Sequence, residues 1–122
     1  MFELLKPISI SDIFTENGEY KLNSDYKEIL KLKQMLEDNG IPHELIRNMD
    51  GWQVCYPQFE KFKCSAIETF ASYGRHQDLI EIMGLFTKEE NEAGHGGVIG
   101  YLTAEDVFKR IKADYEKEKE NE

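Results

Sequence analysis

The feature that most restricts the fold of this chain is a change of hydrophobic period at Gly40-Ile41-Pro42. Before it, Tyr26, Ile29, Leu30, Leu32, Met35 and Leu36 recur at three- and four-residue intervals, the spacing of one buried helix face, with Ser24 or Asp25 as the expected N-cap. After it the apolar residues alternate. The stretches 41–47 and 51–56 flank Asn48-Met49-Asp50-Gly51, and Asp-Gly between two apolar runs signals a β-hairpin. Trp52, Val54 and Tyr56 then share one face. A helix followed by an antiparallel hairpin commits the chain to an α+β fold.

The same reading continues along the chain. A third strand is expected over 62–70, with Phe62, Cys64 and Ala66 opposite Lys63 and Ser65. A fourth covers 79–86, whose apolar run reads as buried on both sides. Thr87-Lys88-Glu89-Glu90 is a capping box that opens a helical turn or two. Gly94, Gly96 and Gly97 then leave 93–97 without regular structure, before a short fifth strand over 98–102. Thr103 caps the last helix, Asp106 sits three residues later, and Leu102 with Val107 forms the hydrophobic staple. Its apolar stripe is Ala104, Val107, Phe108, Ile111 and Tyr115. The expected architecture is an antiparallel sheet of four to five strands, one helix before it and one after it. Residues 1–23 read as an arm packed on the domain or on a partner subunit, or as a partly ordered extension. The single domain covers 24–115, and 116–122 is a solvated, fraying tail.

Composition narrows the function. A formal charge of −9, from 24 acidic and 15 basic residues, disfavours attraction to nucleic-acid duplexes or anionic lipid. No apolar window reaches membrane-spanning length, and no basic start followed by an apolar run suggests export, so a reduced cytosol is the expected location. Cys55 and Cys64 lack a CxxC spacing and read as buried strand residues. The histidines His43, His76 and His95 show no metal-ligand spacing, so no metal or other cofactor is expected. The loop around His95 lacks both the Walker lysine and a GxSxG nucleophile.

Arginine is scarce: only Arg47, Arg75 and Arg110. A planar guanidinium grips phosphate at two points, and a nucleotide site adds a ring or apolar slot for the base and an amide for its edge. Arg75, Phe86, Asn91, Tyr101 and Arg110 are the candidate ligand-binding residues on that chemistry. No catalytic residue is assigned. The competing reading is that the arginines pair with the many carboxylates at the surface.

The segments Cys64-Ser65-Ala66-Ile67-Glu68, Ser72-Tyr73-Gly74, 78–85 and 100–108 resemble a family of short proteins encoded by phages and prophages of Gram-positive bacteria. Within that group the likeness is to the Thoeris anti-defence sponges; it covers about residues 26–115 and leaves the N-terminal arm unmatched. The resemblance implies a non-enzymatic, self-associating protein that holds a cyclic ADP-ribose type signal between subunits without cleaving it. It supplies no binding motif that aligns residue by residue, and adds only that an aromatic residue and an arginine take part. The alternative from acidity is an inhibitor that binds a host nuclease or CRISPR effector by imitating nucleic acid. A third reading, an enzyme acting on nucleotides through His76 or His95, is the least favoured.

Overall fold

The computed structural model describes residues 26–121, in which three helices and five strands follow one another as the periodicity requires. Helix α1 (Lys27–Asp38) leads into strands β1 (Glu44–Asn48), β2 (Gly51–Tyr56) and β3 (Cys64–Glu68). A 3-10 turn (Arg75–Gln77) precedes strand β4 (Ile80–Met83). The short helix α2 (Lys88–Ala93), strand β5 (Ile99–Leu102) and helix α3 (Ala104–Glu120) complete the chain. Each strand pairs antiparallel with the next in sequence, so the sheet is a five-stranded meander ordered β1-β2-β3-β4-β5. The expected arm over 1–23, the caps proposed at Ser24 and Asp25, and Glu122 of the tail lie outside the described residues.

The core lies between one face of the sheet and the two long helices. Ile29, Leu32 and Leu36 of α1 and Ala104, Val107 and Ile111 of α3 meet Val54, Tyr56, Cys64, Ala66, Ile80 and Ile82 of the strands. Leu102, Phe108 and Tyr115 pack against this cluster from its rim, so the stripe read from α3 is its core-facing side. Cys55 and Cys64 are buried free thiols. They occupy neighbouring strands but alternate to opposite faces, because Cys64 stands opposite Tyr56 and Cys55 opposite Ser65.

Both capping boxes form. The Thr87 and Thr103 side chains accept from the amides of Glu90 and Asp106, whose carboxylates accept in return from the threonine amides. Several boundaries differ from the sequence reading. Strand β1 starts at Glu44, three residues past the buried Ile41. Strand β3 starts at Cys64, because the Lys63 amide closes the hairpin on the Tyr56 carbonyl and leaves Phe62 outside, exposed. Strand β4 stops at Met83, and is not buried on both sides: Met83 is 49% exposed. The chain leaves the sheet there because Gly84 (φ +96°) and Leu85 (φ +55°) are left-handed. Helix α3 continues through the expected tail to Glu120. Lys63 bridges its Asp114 and Glu118, and Lys117 and Lys119 sit in its last turn, where cations favour a helix C-terminus.

Helix α1 starts one or two residues later than expected, with Tyr26 at the N-cap and no capping bond from its side chain. The free amides are met from elsewhere. Asp78 Oδ1 accepts from the Lys27 and Glu28 amides at 2.8 and 3.2 Å, and Glu68 Oε1 accepts from the Ile29 amide at 3.1 Å.

Gly51 shows how a correct signal acts through another cause. The hairpin forms where Asp-Gly places it, with Asn48 opposite Gly51, but Met49 carries the positive φ (+54°). Glycine is needed because a Cβ at position 51 would stand 1.9 Å from the Glu68 carbonyl oxygen and 2.8 Å from the Tyr26 ring. A Cβ at Gly40 (φ +64°) would meet nothing within 4 Å. Gly51→Ala is therefore expected to lower unfolding free energy by about 3 kcal/mol, through overpacking. Gly40→Ala is expected to cost about 1 kcal/mol, through backbone strain alone. Urea unfolding checks both; a Gly51→Ala variant no weaker than Gly40→Ala would contradict the close approach.

Candidate functional site

Past the end of β4, residues 84–97 fold back against α3. Thr87 opens α2, and Gly94, with φ +78°, follows its end. The loop 94–97 then returns to β5 through two more left-handed glycines, Gly96 and Gly97. This excursion carries two of the five candidate residues, Phe86 and Asn91, and meets a third, Arg110, on α3.

Arg110 is held in full bidentate contact. Its Nη1 donates to Glu90 Oε1 at 2.8 Å and to the Leu85 carbonyl at 3.1 Å, and its Nη2 donates to Glu90 Oε2 at 2.6 Å. Both side chains are about four-fifths covered, at 18% and 22% exposure. The guanidinium holds the Glu90 carboxyl down to about 2, and Glu90 in turn raises the Arg110 value above its ordinary one. Glu90 Oε1 also accepts from the Thr87 amide at 2.8 Å, so one carboxylate both closes the capping box and seats the arginine.

His95 and Phe86 form a ring pair, with centroids 3.9 Å apart and planes tilted by 42°. The Gly97 amide donates to His95 Nδ1 at 3.0 Å, so that nitrogen carries no proton. His95 Nε2 therefore bears the hydrogen and donates to Asn91 Oδ1 at 3.0 Å. The three glycines let the backbone turn tightly enough for Gly97 to reach the ring of His95 two residues before it.

Arg75 and Tyr101 belong to a different neighbourhood, before β4. Arg75 opens the 3-10 turn, and its amide donates to the Ser72 carbonyl at 3.3 Å. Tyr101 lies on β5 with φ +61° and 59% exposure, and its amide faces the Tyr73 carbonyl at 3.4 Å. Gly100 lies against Tyr73, since a Cβ there would stand 2.3 Å from Tyr73 Cβ. The structure thus joins Phe86 and Asn91 through His95, ties Arg110 to their chain neighbours Leu85 and Glu90, and places Arg75 and Tyr101 toward the other end of β4. Glu90 and His95 complete the cluster. The four-residue spacing of Asn91 and His95 hinted at their contact; nothing in the sequence linked Glu90 to Arg110.

A second group of perturbed residues lies under α1. Glu68 is fully buried; burial first, and then the neighbouring Asp78 carboxyl, raise its value to about 9, while its bond from the Ile29 amide opposes the rise. Its Oε2 has no hydrogen-bond partner. Beneath the helix this acid is shut off from solutes, and its task is to cap. Cys64 is similarly inert, its thiol pushed up to about 12 by burial. Among the described residues no three His, Cys, Asp or Glu side chains gather to hold a metal ion, and no helix is long and apolar enough to cross a membrane.

The two perturbed glutamates give opposite pH dependences. Glu68 keeps a proton in the folded chain that the unfolded chain releases above about 4.5, so its contribution is full below that value and is lost as pH rises toward 9. Glu90 is depressed, so its contribution is present above about 4.5 and is lost as pH falls toward 2. Urea midpoints measured from pH 3 to 9 are expected to fall on both sides of a maximum. Glu68→Gln should flatten the alkaline side and Glu90→Gln the acid side; an unchanged alkaline slope in Glu68→Gln would refute the buried-proton assignment.

No family model, no curated protein and no solved structure matches this chain.

Proposed function

We propose that this protein binds and sequesters a cyclic nucleotide signal of the cyclic ADP-ribose type without cleaving it. On this reading it is a self-associating phage anti-defence protein that works in the host cytoplasm. The observation that carries the reading is that Phe86, His95 and Asn91 join on the 84–97 excursion, whose Leu85 carbonyl and Glu90 hold Arg110 of α3. An aromatic face suits a nucleobase, a carboxamide suits its polar edge, and a guanidinium suits a phosphate. Both ring nitrogens of His95 are already bonded within the chain, which favours holding a ligand over moving a proton in it.

The resemblance to the sponge family suggests the ligand class, and the cluster holds side chains whose chemistry suits it. The nucleic-acid mimic draws less support, because many of the carboxylates such a surface would present are engaged within the fold. Glu28, Glu44, Glu68, Asp78 and Glu81 accept from backbone amides, while Glu90 and Asp114 pair with Arg110 and Lys63. Along α3, lysines at 109, 112, 117 and 119 also interrupt the row of acids.

Incubation of the full chain with cyclic ADP-ribose isomers in hundredfold excess over the dissociation constant is expected to raise the melting temperature by several degrees. Heating should then release the nucleotide with unchanged mass. No melting shift with any isomer and no nucleotide released would sink the proposal, and a hydrolysed product would replace it with an enzyme.

A further inference from the structure

Arg110 is the one cation in the candidate cluster, and its strongest seat is filled by a carboxylate of the same chain. A carboxylate in that bidentate position occupies the hydrogen-bond directions that a phosphate oxygen pair would use. We propose that Glu90 is an internal competitor for the anion seat on Arg110, so that anion binding there displaces Glu90 and frees helix α2 from α3. The inference rests on the reading of this cluster as a phosphate-bearing ligand's site and adds how that site is gated.

Three features of the geometry support displacement over simple exclusion. First, Glu90 has a second partner. Its Oε1 accepts from the Thr87 amide within its own helix, so leaving Arg110 still satisfies part of the carboxylate and keeps α2 capped. Second, α2 is only six residues long and none of them is buried, so little apolar contact holds it down. Third, left-handed residues flank it: Gly84 and Leu85 before, Gly94 after. At Gly94 and Gly96 a Cβ would meet nothing within 4 Å, so the backbone there has room to turn. With the open turns at Gly94 and Gly96 taking up the movement, the Leu85 carbonyl still holds Arg110 through its Nη1.

Thermodynamic linkage then fixes the signs. Whatever weakens the Glu90–Arg110 pair strengthens anion binding, and anion binding raises the mobility of α2. Inorganic pyrophosphate is the probe, applied to the full chain. Glu90→Gln is expected to bind it at least tenfold more tightly than the parent chain, and Arg110→Gln to lose binding. In the parent chain, saturating pyrophosphate is expected to speed amide hydrogen exchange across 88–97 while leaving α1 and β2 unchanged. Glu90→Gln binding no more tightly than the parent would overturn the proposal. If the variant fails to fold, the parent chain alone decides, since binding without faster exchange over 88–97 would also overturn it. Cyclic ADP-ribose bound with 88–97 more protected would refute the gate and keep the sequestration reading. No response to pyrophosphate or to any isomer would end both.

Discussion

The arrangement depends first on how the N-terminus of α1 is satisfied. A helix presents unpaired amides at its start, and a partly buried start needs acceptors. Here they arrive from the sheet side: Asp78, itself held left-handed after the 3-10 turn, takes two amides, and buried Glu68 takes the third. With α1 fixed at its beginning, Glu28 in its first turn reaches across and accepts from the Ala104 amide at 2.8 Å, the first residue of α3. Arg110, two turns further along α3, then holds Glu90 and the Leu85 carbonyl. The candidate cluster is thus the far end of a relay of polar contacts. It begins at a protonated acid beneath α1, and apolar packing between α1, α3 and the sheet supports each step.

This relay changes the meaning of the net charge. A surplus of carboxylates reads first as a surface property, yet many of them are internal acceptors. Asp50 accepts from the Tyr26 hydroxyl and the Phe70 amide, closing the hairpin turn against the start of α1. Glu81 accepts from the Tyr73 amide and Glu44 from the Phe59 amide, each pinning a connection to a strand. Charge-assisted bonds of this kind are stronger than neutral ones, and they need no basic partner. An acidic composition here is in part a way of tying loops and helix starts to a small sheet.

What the sequence disclosed divides by range. Both threonine capping boxes were legible because donor and acceptor lie three residues apart, and the helix stripes were legible because periodicity is local. The start of α1 was not, since its caps come from residues 39 and more positions away. The length of β4 was overestimated because Leu85 and Phe86 continue an apolar run, while the left-handed Gly84-Leu85 step that ends the strand leaves hydrophobicity untouched. The end of α3 was underestimated for the opposite reason. A run of glutamates and lysines reads as solvated tail, whereas its ion pairs to Lys63 depend on a loop some fifty residues earlier. At the candidate site, residue types could nominate Phe86, Asn91 and Arg110. The partner that fills Arg110 lies 20 residues away with no pattern to announce it.

Electrostatics couples Glu90 to any anion that binds at Arg110. Two like charges 4 Å apart near a protein surface repel by about 4 kcal/mol, which exceeds what one added hydrogen bond returns. The guanidinium attracts a phosphate by a similar amount, so a phosphate that shares Arg110 with an ionised Glu90 loses most of that gain. Protonating Glu90 instead is equally unfavourable near neutrality, because its value beside Arg110 is about 2. Moving the carboxylate away avoids both costs. Glu90 is carried by α2 between left-handed turns, on the segment that also carries Asn91 and, through it, His95. The ring pair and the acid that holds the cation thus share one short segment, and under the proposed gate a ligand that engages Arg110 is felt at His95.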